Sequence, residues 1–305
     1  MAINLGGAPL NIANGIREFA IASPNQIAII DGARSITYRE LFERACRLAN
    51  ALLAANLKRG VAVGVLMGNR LEYSEVAAGC AMAGFPIVPI NPRQTADENT
   101  YIFEHSEAQA LIYDAALAAV LPSKLPATVW AIEGTAAHPN YENLIASYPA
   151  TDPGVVVDEN EPFCIAYTSG TTGLPKAAKI SGVRARGLMR VFKDATEASQ
   201  DDRILLTLPL YHATGGMCGV GTALNAGACI VLQRKFSASQ FWQEAIDSHA
   251  TMLVYIGELG RYLMNQPPSA LERSHTITKG FGNGLRADVW AEFVERTGVK
   301  RLVEF

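Results

Sequence analysis

The chain has 305 residues, 49% of them apolar, with 26 Lys and Arg against 29 Asp and Glu and a formal net charge of −3. That balance excludes a mainly disordered chain, suits about two domains with a sizeable buried core, and offers no general attraction to nucleic acid or an anionic membrane surface. Five cysteines without a Cys-x-x-Cys pair and five widely separated histidines argue against a disulfide framework and a helix-borne metal site, so no residue is assigned as a metal ligand.

In chain order, MAINLGGAPLNIANGIREF lacks the basic stretch and apolar run of a secretory leader, which favours a cytoplasmic protein with reduced thiols. A first helix is followed by the strands QIAIID and SITY, joined by a turn at Asp31 and Gly32. Thr37 and Glu40 have capping-box spacing, and Leu41, Phe42, Ala45, Leu48, Ala49, Leu52 and Leu53 recur at helical spacing, predicting a long amphipathic helix. A βα rhythm then sets in: VAVGVLM as strand, a helix capped by Asn69 and running through Met82, FPIVPI as strand, a helix near 96–105, and ALIY as strand. Strands apolar almost throughout, set between helices, belong to a parallel sheet covered on both faces. Residues 134–162, rich in Pro, Gly, Asn and acids, read as a surface connection. A second series follows: FCIAYT, a helix over 183–198, RILLTL, ACIVL, a helix in SASQFWQEAIDSH, TMLVYI, a helix to Met264, TITKGF, a helix in ADVWAEFVERTG, and the strand VKRLVEF.

The fold class expected is therefore α/β, two layered α/β subdomains with largely parallel or mixed sheets. Residues 46–195 form one, and 1–45 with 196–305 the other. Residues 205–233 carry no charged side chain, but Pro209, His212, Asn225 and five glycines fit a strand, a loop and a buried helix better than a membrane span. Functional loops of α/β sheets lie beyond the carboxyl ends of strands, so a chain ending on VKRLVEF reads as truncated.

The stretch FCIAYTSGTTGLPKAAK, residues 163–179, runs a strand directly into Thr168, Ser169, Gly170, Thr171, Thr172 and Gly173, then Pro175 and Lys176. Glycines let backbone N–H groups approach an anion, hydroxyls add donors and the lysine adds a mobile charge, a donor set suited to polyphosphate. G-x-x-x-x-G-K-[ST] is absent, which removes most support for a kinase or GTPase. In isolation such a cluster is also a plain turn. The full string YTSGTTGLPK, however, resembles the phosphate-loop signature of the adenylate-forming superfamily, which includes acyl-CoA synthetases, aryl-CoA ligases, luciferases and peptide-synthetase adenylation domains.

LPLYH at 208–212 is similar to a second core motif of that superfamily, implying that Tyr211 and His212 line the carboxylate and acyl end of the pocket. Taken alone, His212 would read as a core or capping residue. KFSASQFWQEAI, VYIGELGRYLMNQPP and GFGNGLRADVW resemble the fatty-acid transport protein or very-long-chain acyl-CoA synthetase branch. There the turn at Gly282, Asn283 and Gly284 would contribute to the adenine and acyl walls, its alternative being a simple glycine turn. The uncharged segments 205–233 and 252–257, the latter ending at Gly257, would wall the acyl pocket, although core packing alone also explains them. Between Lys176 and Lys193 six basic residues occur without an acid, either steering phosphates or forming a solvated helix face through Arg186, Arg190 and Lys193.

The resemblance implies ATP-dependent activation of a long or very-long-chain fatty acid to an acyl adenylate and then to acyl-CoA. ATP would be held by Thr168 to Gly173 and by Lys176, with Thr172, Lys176 and His212 in catalytic positions. It also implies Mg2+ and coenzyme A. The family's later Tyr-Gly-x-Thr-Glu segment and C-terminal domain are absent from this sequence, so the 305 residues alone are expected to be inactive. Two alternatives stay open, a ligase for a shorter, aromatic or carnitine-like acid and a non-catalytic nucleotide-binding fragment. Expected partners are small molecules, without nucleic acid or a transmembrane segment; peripheral membrane contact and a homodimer also stay open.

Overall fold

The computed structural model describes residues 13–134, 137–168 and 174–305. In chain order the elements are α1 (Asn14–Ala22), β1 (Ile27–Asp31), β2 (Arg34–Thr37), α2 (Tyr38–Ala54), β3 (Val63–Leu66), α3 (Leu71–Ala83), β4 (Ile87–Ile90), α4 (Ala96–His105), β5 (Ala110–Asp114), β6 (Thr128–Ile132), α5 (Tyr141–Ala146), β7 (Pro162–Thr168) and β8 (Lys176–Ser181). They continue with α6 (Gly182–Thr196), β9 (Arg203–Leu206), a π-helical turn over Ala213–Gly219, α7 (Val220–Ala226), β10 (Cys229–Leu232), α8 (Phe241–Asp247), β11 (Met252–Ile256), α9 (Gly257–Met264), α10 (Leu271–Ser274), β12 (Lys279–Asn283), α11 (Ala287–Thr297) and β13 (Arg301–Glu304).

The strands form two sheets, ordered β13-β12-β11-β9-β10-β1-β2 and β6-β5-β3-β4-β7-β8. Pairing is parallel except for the hairpins β1–β2 and β7–β8, so the expected mixed α/β class holds. The uncharged segment 205–233 resolves into strand, π turn, helix and strand, and no helix among the described residues is long and apolar enough to cross a membrane.

Packing divides the chain into two compact units, one of residues up to Asn25 with Tyr38–Gly187 and one of Gln26–Thr37 with Leu188–Phe305. The expected boundaries, 46–195 against 1–45 plus 196–305, differ at both ends. Of the N-terminal segment, only the β1–β2 hairpin joins the second unit, because Ile29 and Ile30 pair in parallel with Ile230 and Val231 of β10. All of α2 stays in the first unit. Its buried stripe, from Leu41 to Leu52, packs on α3 so closely that a Cβ on Gly79 would stand 2.9 Å from the Ala45 carbonyl oxygen.

In the first unit, β3, β4 and β5 are buried, and Leu66, Val88, Leu111 and Ile165 share a core with Ile102 and Phe103 of α4. Burying a side chain of this size contributes roughly 1.5–3 kcal/mol. The start of α3 departs from expectation: Arg70, not Asn69, occupies the cap position. Arg70 is 1% exposed and bonds Glu72, Asp114 and Glu133 at 2.8, 2.6 and 2.9 Å. A buried guanidinium requires such pairing, since its desolvation is costly.

Residues 134–162 are not a bare connection. They contain α5, started by the Asn140 side chain accepting from the Asn143 N–H at 3.0 Å. Arg44 of α2 holds Glu142 of α5 at 2.6 Å and the fully buried Glu75 of α3 at 2.5 Å. Arg47 donates to the Tyr148 carbonyl at 2.6 Å and Asn50 to that of Thr151 at 2.9 Å, fastening the rest of the segment to α2.

Candidate functional site

In the first unit β7 delivers Thr168 and β8 departs from Lys176, and the two residues are cross-strand partners. The Thr168 hydroxyl lies 3.5 Å from the Lys176 carbonyl oxygen. The two ends of the glycine-rich stretch are thus fixed side by side, and both residues are exposed. Ser169, Gly170, Thr171, Thr172 and Gly173 lie outside the described residues. The returning strand β8 was not expected; it is an exposed edge strand, KAAKIS, with no apolar run to announce it. Helix α6 follows, and of its basic residues Arg186 is paired with Glu159 while Arg190, 81% exposed at its side chain, reaches Asp194 at 3.6 Å. The helix face is therefore partly ion-paired and largely solvated.

Two side chains that the sequence did not single out hold the stems of this hairpin. The Tyr101 hydroxyl donates to the Pro175 carbonyl at 3.3 Å, and His105 Nδ1 lies 2.7 Å from the Tyr167 hydroxyl. Tyr101 and His105 stand four apart on α4, so they share a face. Their spacing was readable, but their target was not.

In the second unit, β9, β11, β12 and β13 run parallel, so their carboxyl ends share one edge. That edge carries LPLYH after β9, Gly257 after β11, and Gly282, Asn283 and Gly284 at the end of β12. The sheet thus gathers Tyr211, His212, Gly257 and Gly282–Gly284 from segments far apart in the chain, as ligand sites of open α/β sheets require.

His212 occupies the cap position of the π-helical turn, and its backbone carbonyl accepts from the Gly216 N–H at 2.8 Å. Its imidazole makes no capping bond, which removes the capping interpretation and leaves the ring available beside Tyr211, centroids 4.5 Å apart. Partial desolvation draws its pKa below the ordinary 6.5, favouring the neutral ring. Thr207, immediately before LPLYH, has a buried hydroxyl with no hydrogen-bond partner among the described residues; no sequence signal marks it.

A Cβ on Gly257 would fall 1.8 Å from the Gly284 carbonyl oxygen, and Gly284 itself has φ +74°. Both positions therefore need glycine, one for close approach and one for its left-handed backbone. The Leu285 N–H donates to Glu304 Oε1 at 3.3 Å, tying the turn to β13. Tyr255 donates to the Val303 carbonyl at 3.3 Å. Phe192 stacks on Phe281 at 4.6 Å and 12°, with Phe305 also 4.6 Å away. Among the described residues no group of three or more His, Cys, Asp or Glu side chains could hold a metal ion.

A family model described as AMP-binding enzyme matches residues 16–305. Long-chain fatty acid transport protein 6 of Mus musculus is 34% identical over 294 residues, covering 92% of this chain and 47% of that protein. Long-chain fatty acid transport protein 1 of Rattus norvegicus is 32% identical over 299 residues, covering 92% and 46%. The chain thus spans about half the length of the curated relatives it matches. Among solved structures, the inhibitor-bound N-terminal domain of FACL13 from Mycobacterium tuberculosis aligns with a TM-score of 0.85 at 22% identity, covering 97% of this chain and 75% of that one. ATP-bound MatB from Rhodopseudomonas palustris aligns at 0.83 and 24% identity, covering 95% and 58%. These structural likenesses concern the fold.

Proposed function

The chain belongs to the AMP-binding enzyme family, and on that premise we propose that it carries the nucleotide- and acid-binding part of a fatty acid–coenzyme A ligase that works through an acyl adenylate. The observation that carries this reading is the β7–β8 hairpin, which sets Thr168 beside Lys176 at the two ends of a loop of hydroxyls and glycines. A carboxylate is a poor electrophile because attack on it must expel oxide, and joining it to AMP makes that oxygen a good leaving group. The acid's oxygen attacks the α-phosphorus of Mg-ATP in line, the bond to the bridging oxygen breaks, and pyrophosphate leaves. Charge builds on the departing phosphates, where the hydroxyls of Thr168, Ser169, Thr171 and Thr172, nearby N–H groups and Lys176 would stabilise it. The thiol of coenzyme A then attacks the acyl carbon and AMP departs. Mg2+ would accompany the nucleotide and help neutralise the charge on the departing pyrophosphate.

Neutral His212 would offer the acid's carboxylate a hydrogen bond without an added positive charge, with Tyr211 beside it. Two features favour long acids: the uncharged stretch 205–233 and the relatives named long-chain fatty acid transport proteins. A cytoplasmic location with peripheral contact at a membrane, where such acids partition, belongs to the same reading. The test is acid-dependent ATP–pyrophosphate exchange by the intact protein over a panel of acids. Each buried methylene contributes roughly 0.8 kcal/mol, so a sixteen-carbon acid should far exceed acetate and benzoate. Acetate or benzoate outperforming it would favour a short-chain or aromatic ligase, and no exchange with any acid would favour a nucleotide-binding module.

A further inference from the structure

We propose that Tyr101 and His105 of α4 are positioning residues that clamp the two stems of the phosphate loop, His105 through Tyr167 on the entering strand and Tyr101 through Pro175 at the exit. The proposal rests on the nucleotide reading of that loop only for its functional consequence.

The geometry is local to the first unit. One helix face reaches both ends of the loop: the Tyr101 hydroxyl to the Pro175 carbonyl at 3.3 Å and His105 Nδ1 to the Tyr167 hydroxyl at 2.7 Å. Pro175 immediately precedes Lys176, and Tyr167 immediately precedes Thr168, so each contact lies one residue from a proposed phosphate ligand. The three rings form a continuous series, Tyr101 to His105 at 5.4 Å and His105 to Tyr167 edge-on at 5.7 Å. Burial pushes the Tyr167 hydroxyl up to about 12, so it stays protonated at neutral pH and can pair with either tautomer of the imidazole.

The helix bearing the clamp is itself immobilised. Thr95 and Glu98 make a full capping box at its start, with the Thr95 N–H donating to Glu98 Oε2 at 2.8 Å. Asn99 donates to the Val120 carbonyl at 2.7 Å, and Ile102 and Phe103 are buried in the core against which Tyr101 and Tyr167 also pack. An anion loop works by presenting donors in place before charge develops, yet glycines cost the most backbone entropy to order. A rigid helix holding both stems fixes where the loop begins and where it ends. β8 is an exposed edge strand, so without the Pro175 contact its start would be held by β7 alone.

The test compares wild type with Tyr167→Phe, His105→Ala, His105→Asn and Tyr101→Phe by amide hydrogen exchange and by equilibrium ATP binding. Tyr167→Phe, His105→Ala and Tyr101→Phe should each speed exchange over residues 168–176 about three- to tenfold, the worth of one hydrogen bond, and weaken ATP by a similar factor. His105→Asn, whose amide oxygen can replace Nδ1, should restore both. Tyr167→Phe combined with His105→Ala should be no worse than either alone. Unchanged exchange at 168–176, faster exchange throughout the first unit with a lowered Tm, additive effects in the double variant, or no rescue by asparagine would each overturn the clamp. If the wild type binds no ATP while exchange responds as expected, the clamp stands and the nucleotide reading falls.

Discussion

The two loop constellations are held in opposite ways. In the first unit the stems of the glycine-rich loop are gripped by side chains, Tyr101 and His105 acting on Pro175 and Tyr167. In the second unit the Gly282–Gly284 turn is fixed chiefly by close backbone approach, Gly257 against the Gly284 carbonyl, with one added tie from the Leu285 N–H to the Glu304 carboxylate. A side-chain grip can be weakened stepwise by removing one atom, because the strands remain. A backbone contact at van der Waals limit has no intermediate state, since any added carbon must displace a strand end. The first arrangement therefore tunes a loop, whereas the second fixes a wall.

The largest expected effect sets the scale from outside both loops. Arg44→Met leaves Glu75 fully buried without its partner, a change that typically costs about 3–5 kcal/mol, and urea unfolding measures it. Burial already raises the Glu75 carboxyl above its ordinary range, even beside Arg44. In the variant, folded Glu75 should hold a proton at pH values where the unfolded chain has lost it. Stability should then fall as pH rises through that raised value, making the deficit smaller near pH 4 than at pH 7. An equal deficit at both would contradict this account.

Next, Lys176→Ala should lower acid-dependent ATP–pyrophosphate exchange about 10²- to 10³-fold, the loss typical of one donor to developing charge, with Tm nearly unchanged because the side chain is exposed. A lowered Tm with normal exchange would make the residue structural. Gly257→Ala should reverse that pattern: with a Cβ 1.8 Å from a carbonyl oxygen, the strand ends must part, at a cost of roughly 1–3 kcal/mol. Calorimetry showing no loss would mean that the turn is not backbone-held. The smallest effect is a titration. The His212 ring resonances should shift at a pH below the ordinary 6.5, and a midpoint above it would remove the neutral imidazole from the mechanism.

Much of the fold was legible because its signals are local. Apolar runs such as VGVL and IVPI announced β3 and β4, and α4 falls at 96–105 as its pattern predicts. What escaped notice lacked such a pattern or was short. β8 is polar and exposed at the sheet edge, while β6, the five residues TVWAI, and the six-residue α5 lie in Pro- and Gly-rich surroundings. Asn140 could have announced α5, but its place on α2 depends on Arg44, some hundred residues earlier.

The same division runs through the candidate site. The donors of the loop are encoded contiguously, so the string from Thr168 to Lys176 is a legible phosphate-loop candidate, and its resemblance to the adenylate-forming signature agrees with the family match over residues 16–305. Tyr101 and His105 carry no such mark, because each acquires its meaning from a partner brought close only by folding. The assignment of the β1–β2 hairpin to the second unit was decided in the same manner, by parallel pairing of Ile29 with Ile230. Sequence determined which short segments could bind phosphate, bury themselves or turn. Tertiary structure decided which of them meet, because hydrogen-bond partners and packing surfaces across two hundred residues are selected by the assembled sheets and not by local propensity.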